Sequence, residues 1–276
     1  MAIELKVKVI DVIKKVVVQP SENLYTRLLK GFFEEIARLT LFAFRFFKEL
    51  FRPPFEITEF LKQAYLIGYK SLPLVAITGF IMGLVLTIQS RPTLVEFGAE
   101  SWLPAMVAVS IIREIGPVIT ALIFAGKVGS GIGAELASMK VTEQIDAMEV
   151  SGINPFKYLV VTRIMAATLM LPTLVILADL VSLYGAYVGV NLKGDVSLHL
   201  FFLQIFAKLS FGDVIPSLIK TFFFGFVVGL IGCYRGYHAT QGTEGVGVAS
   251  NAAVVQGSLA IFILDMIAVQ MTSLFI

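Results

Sequence analysis

Five long apolar runs constrain this chain more than any other feature. They cover 72–88 with its flanks, 102–126, 158–191, 214–234 and 252–276. A bilayer core about 30 Å thick takes roughly 20 apolar residues per helix. Backbone N–H and C=O groups find no water there, so each run must satisfy them internally as a helix. The expectation is an all-α integral membrane protein, with a five-span bundle over 72–276 in one domain, 1–276. Composition agrees. The chain is 57% hydrophobic and 15% charged, whereas soluble domains run at roughly 45–50% and about 25%. The third run is long enough to protrude or bend, with Pro172 at the bend.

Charge orients the spans. Lys6, Lys8, Lys14, Lys15, Arg27, Lys30, Arg38, Arg45, Lys48, Arg52, Lys62 and Lys70 all precede the first run and make up over half of the Lys and Arg. The positive-inside rule then places the N-terminus in the cytoplasm, and five spans place the C-terminus outside. Phe and Leu interleave with these cations at helical spacing, which argues against nucleic acid. The single cysteine, Cys233, allows no disulfide within the chain. Charges interrupt the apolar residues of 1–20, so no signal peptide is expected there. That stretch reads as a strand at Ile3, Leu5, Val7 and Val9, or as a short helix over 9–18.

Residues 24–51 carry Leu28, Phe32, Ile36, Leu39, Ala43, Phe46 and Leu50 at steps of three and four, and Pro53-Pro54 follows. A Phe-rich helix with Lys and Arg off the apolar stripe, placed before a span, reads as an interfacial helix. It can equally pack on the protein's own cytoplasmic side. A short amphipathic helix is also expected in the Phe-rich outer loop 192–213.

Between the second and third runs lies a polar island, 126–157, GKVGSGIGAELASMKVTEQIDAMEVSGINPFK. It reads as a loop at a membrane face with its own short helix. Thr142 is the expected cap, and Glu143 and Asp146 suit the first turns, where the helix dipole favours negative charge. Gly152 supplies a left-handed end, and Asn154-Pro155 stops continuation. Val141, Ile145, Met148 and Gly152 share one stripe; Glu143, Asp146 and Glu149 share another. The pattern suits either docking into a partner protein or an ordinary structured loop.

Catalytic signatures are absent from the sequence: no phosphate loop, no H-E-x-x-H, and no metal-ligand spacing around His199 or His238. Gly129, Gly131 and Gly133-Ala134 fit a dinucleotide fingerprint, but an apolar helix precedes them where that motif needs a strand. Ionisable residues inside the runs are Arg113, Glu114, Asp179, Lys220 and Asp265. Such groups are costly in lipid and mark either substrate paths or interhelical ion pairs. Arg113-Glu114, just before Gly116-Pro117, reads as the polar spot of a cavity, with an ion pair to Lys220 as the structural alternative. Asp179, Lys220 and Asp265 read as structural.

The stretch IREIGPVITALIFAGKVGSGIGAELASMKVTEQIDAMEVSGINPFKYLVVTRIMA and the later YRGYHATQGTEGVGVASNAAVVQGSLAIFILD resemble the MlaE-type permeases. These are membrane subunits of ABC transporters that move phospholipids with MCE-domain partners. The resemblance covers about residues 60–276. Asn251-Ala252 stands where a threonine pair is expected. It implies a homodimer in the bacterial inner membrane, two cytoplasmic ATPase subunits, and an MCE ring on the periplasmic side. The chain itself is then a transport subunit without a cofactor, and ATP and Mg belong to the ATPase. The loop 135–152 would be the coupling helix, with Glu135, Glu143, Ile145, Asp146, Met148, Glu149 and Gly152 at the ATPase. Lipid would meet an apolar chamber of Leu84, Ile88, Ile111, Ile115 and Val118, with Gln89, Arg113 and Glu114 as polar contacts. The competing readings are an ATP-independent secondary transporter and a membrane-embedded lipid enzyme. Five spans without an inverted repeat fit the first poorly.

Overall fold

The structure is a computed structural model that describes residues 24–192, 194–240 and 242–275. The strand-or-helix question over 1–20 lies outside them. Every regular element among the described residues is a helix, with no strand. The helices are α1 (Leu24–Leu50), α2 (Ile57–Glu96), α3 (Glu100–Val141), α4 (Gln144–Val150), α5 (Phe156–Asn191), α6 (Leu198–Phe206), α7 (Phe211–Tyr237) and α8 (Thr243–Phe275). Five of them, α2, α3, α5, α7 and α8, are long and apolar enough to cross a membrane. All five expected spans are present, and α6 is the short helix expected in the loop after α5.

By packing, the chain divides after Arg45, with Phe46–Ile276 as one compact unit. The side chains of Leu28 and Phe32 are outside the described set. Further along α1, Ile36, Phe33, Leu41 and Phe44 are exposed. Phe46 corrects the lipid-facing stripe expected there: it is only 3% exposed, and its ring lies 5.6 Å from that of Phe226 on α7.

Three spans run well past the apolar cores expected for them. α2 starts at Ile57 rather than near 72, α3 continues through 126 to Val141, and α8 starts at Thr243 rather than at 252. The first half of the polar island is therefore helix, not loop. Its polar groups are satisfied in place: the Lys127 ammonium donates to the Lys70 carbonyl, and the Ser130 hydroxyl donates to the Gly126 carbonyl.

Small residues set the helix spacing. α2 and α5 make the most extensive helix–helix contact, along a seam of Gly79, Gly83, Ser182, Gly185 and Gly189. A methyl group at Gly83 would collide with the Ser182 carbonyl, and one at Gly185 with the Phe80 carbonyl. In lipid, where apolar side chains gain little by leaving the solvent, such close backbone approach is a main source of association. Gly83→Val should therefore lower the thermal unfolding midpoint in detergent, with an overpacking cost of about 1–3 kcal/mol. Gly131→Val, where a methyl meets nothing within 4 Å, should leave the midpoint near wild type. Equal midpoints for both variants would show that the seam does not set the packing.

α7 packs on α5, α8 and the second half of α3, while α8 packs on α7 and α3. At the end of the bundle away from α4, Leu103, Val107, Ile111, Leu183, Phe201 and Ile205 form a buried core. There Arg91 joins three segments: it pairs with Glu100 at 2.5 Å and donates to the Val190 carbonyl at 3.0 Å.

Candidate functional site: a charged cluster and an exposed connecting helix

The first candidate site grows from a local defect in α3. Residues Ile111–Ile115 form a π-helical turn, and the Gly116 N–H donates to the Ile111 carbonyl five residues back. In that register the Ile112 carbonyl needs the N–H of residue 117, which is proline and has none. The Ser217 hydroxyl of α7 supplies the missing donor at 2.6 Å. Gly116-Pro117 thus fixes both the wide turn and its docking to α7. The same glycine admits Asp179 of α5: a Cβ at Gly116 would collide with its carboxylate.

The wide turn aims Arg113 and Glu114 at α7. Lys220 of α7, with its side chain 7% exposed, lies 2.6 Å from Glu114 and 2.9 Å from Asp265 of α8. Arg113 lies 3.7 Å from Asp213 in the first turn of α7. The Asp213 carboxylate is in turn held by the Ser210 N–H and hydroxyl. Three helices are tied by one buried lysine between two carboxylates. This is the pairing that makes charge tolerable at membrane depth. Glu114 keeps about two-fifths of its surface open (38% exposed), so the cluster is sealed on the Lys220 side and open on the Glu114 side.

The remaining expected lipid contacts divide. Ile115 and Val118 are half-buried on α3 beside the cluster. Ile111 is fully enclosed in the core with Leu103, Val107 and Leu183, so it does not face a chamber in this state. Leu84, Ile88 and Gln89 stand on α2, which packs on α5 and the first half of α3. The cluster is built from α3, α7 and α8, and within one chain the fold does not bring those three residues to it. The crevice beside the cluster is only about 20 Å³, enough for one water and far too small for a lipid. Asp213 is the cluster member that sequence reasoning missed. Its only early signal was the Ser210-to-Asp213 spacing of a helix cap.

The second candidate site is α4. Thr142 does not cap its start as expected. It ends α3 instead, its hydroxyl donating to the Ser138 carbonyl. Glu143 is the junction residue, in the left-handed region at φ 58°, rather than a first-turn acid. The C-terminal expectation is met. Gly152 sits at φ +79°, its N–H donates to the Glu149 carbonyl, and the Ile153 N–H donates to the Met148 carbonyl. This is the paired-bond ending that a left-handed glycine permits. Asn154 then starts α5, its side-chain oxygen accepting from the Lys157 N–H at 3.2 Å.

Ile145 is 2% exposed and anchors α4 to its own chain, so it is not available to fill a partner's groove. Met148 is half-buried. The apolar residue presented outward is Val150, 91% exposed, a residue the stripe argument overlooked. Glu143, Asp146 and Glu149 are exposed around it, and Asp146 holds Lys140 at 2.8 Å. Glu135 lies on α3 and pairs at 2.8 Å with Arg163 of α5, which is nearly fully buried.

Comparison with known proteins fits this arrangement. The chain is 39% identical over 232 residues to a probable ABC transporter permease protein of Rickettsia felis, covering 84% of this chain and 90% of that one. It is 36% identical over 208 residues to the intermembrane phospholipid transport system permease protein MlaE of Haemophilus influenzae, covering 75% and 79%. A probable ABC transporter permease protein of Synechocystis is 36% identical over 203 residues, covering 74% and 77%. The family model for the permease MlaE matches residues 60–271. On these matches, with five spans and an exposed helix between the second and third, the chain belongs to the MlaE permease family of transmembrane ABC permeases.

Proposed function

We propose that this chain is the membrane subunit of an ABC transporter that moves phospholipid between membranes. In this reading it works as a homodimer in a bacterial inner membrane, with the α4 side cytoplasmic and the C-terminus periplasmic. A separate ATPase binds ATP and Mg and docks on α4, and an MCE ring receives or delivers lipid on the opposite face. The observation that carries the reading is α4 itself. It is a short helix capped at its C-terminal end, anchored by Ile145, and presenting Val150 among acids. A helix fixed from behind and bare in front transmits motion to the bundle.

The lipid path is placed between two copies, because the crevice beside the cluster in one chain holds no more than a water. The open side of Glu114, with Arg113, Ile115 and Val118, would contact lipid there. Leu84, Ile88 and Gln89 would reach the same chamber only from the second copy. ATP binding on the partner stabilises one permease state over the other, and that differential expels the lipid. The chain supplies no reaction chemistry in this mechanism.

Co-reconstitution of the permease with its ATPase in donor vesicles tests the reading. ATP-dependent transfer of labelled phospholipid to acceptors is expected, with no transfer when the ATPase is omitted. Equal transfer without ATPase would favour a secondary transporter and overturn it.

A further inference from the structure

Three cations are buried among the described residues: Lys157, Arg163 and Lys220. Arg163 has Glu135, and Lys220 has Glu114 and Asp265. Lys157 differs. It is 7% exposed, yet among the described residues no carboxylate lies within ion-pair distance of it. Its ammonium donates to the Arg52 carbonyl and stands 5.4 Å from the centre of the Phe55 ring. A carbonyl and a ring face leave a buried charge under-compensated, at a cost that a buried counter-ion would relieve.

Lys157 also lines a cavity of about 350 Å³. The other walls are apolar, chiefly Leu50, Phe55, Phe60, Val161 and Met165; Glu56 is the second charged residue there but is not paired with Lys157. Phe55 and Ile57 expose surface outward, so the cavity is reached from outside. It is built from the first turns of α2 and α5 and the end of α1. Both spans begin at the membrane face that carries α4, which puts the cavity at headgroup depth. Apolar walls of this volume accept hydrocarbon, and the unpaired ammonium accepts phosphate as a point charge.

We propose that this cavity holds a resident anionic phospholipid of that leaflet, its acyl chain against Phe60, Val161 and Met165 and its headgroup phosphate on Lys157. The lipid is a fixed part of the fold and not transported cargo, since the cavity belongs to α1, α2 and α5 and the charged cluster to α3, α7 and α8. The inference does not depend on the transport reading.

Native mass spectrometry of the chain released from phosphatidylcholine nanodiscs doped with phosphatidylglycerol tests it. Wild type should retain phosphatidylglycerol against the excess of phosphatidylcholine. Lys157→Met should lower that retention by on the order of tenfold, the scale of one modest ionic contact, and Lys157→Arg should preserve it. Met165→Trp, which fills the apolar part and spares the lysine, should also lose the lipid and decides the matter if Lys157→Met does not fold. Glu114→Gln should retain the lipid. Unselective retention of both lipids, unchanged retention in Lys157→Met or Met165→Trp, or loss in Glu114→Gln would overturn the proposal.

Discussion

Val150→Asp is expected to abolish stable assembly with the ATPase and to lower ATP-driven transport to background, while the permease still folds. Among the described residues Val150 is the most exposed large apolar residue, at 91%. It sits in the last turn of α4, where Asp146 and Glu149 surround it. A buried valine contributes about 1.5–3 kcal/mol of apolar transfer free energy. An aspartate in the same pocket would be an unpaired charge, which costs more than the lost contact. Ile145→Asp would instead detach α4 from the bundle, and its defect should appear as lowered permease stability. Charge reversal at Glu143 and Asp146 should act more weakly, because these groups are exposed and exposed pairs contribute about 0–1 kcal/mol each. The measurements are co-purification with the ATPase and the unfolding midpoint of the permease alone. If Val150→Asp co-purifies normally and transports lipid, α4 is not the ATPase contact.

The spans were legible because hydrocarbon leaves the backbone no alternative to helix, and each apolar run is long enough to cross. Their ends were not. The run around 72–88 reads as one span, but residues 57–71 and 127–141 are helix too, and bilayer thickness does not say where a helix must end. Gly152 was readable because only a left-handed residue makes the paired-bond ending. The start of α4 was not, because Glu143 occupies a left-handed position that favours glycine, and no cap residue announces it. Ile145 and Val150 show the limit of stripe reasoning most clearly. Periodicity finds an apolar face, but it cannot say which apolar residue faces the home chain and which faces a partner. At the cluster, Gly116-Pro117 flagged a loosened helix and Lys220 was a foreseeable partner for Glu114. The Asp265 link and the Ser217 donor depend on α7 and α8 meeting α3 at one depth, which only tertiary packing fixes.

Lys220→Met should produce the largest loss of permease stability of any single substitution in the cluster, and the triple change Lys220→Met, Glu114→Gln, Asp265→Asn should recover much of it. Lys220 is the one cation between two carboxylates, at 2.6 and 2.9 Å. Its removal leaves Glu114 and Asp265 facing each other across α3 and α8 without a counter-ion. Removing one partner of a buried pair costs about 3–5 kcal/mol, because the survivor stays desolvated and unpaired. The partial exposure of Glu114 reduces that figure, since water reaches its carboxylate from the open side. Neutralising both acids removes the repulsion, so assembly and unfolding midpoint should return toward wild type. Transport should not return with them. In the proposed path the Glu114 carboxylate and Arg113 meet the lipid headgroup, and a neutral trio keeps the helices together without that polar spot. Stability restored with transport still lost separates the two roles of the cluster. If the triple variant transports lipid at the wild-type rate, the charges serve only to hold α3, α7 and α8 together, and the headgroup is recognised elsewhere.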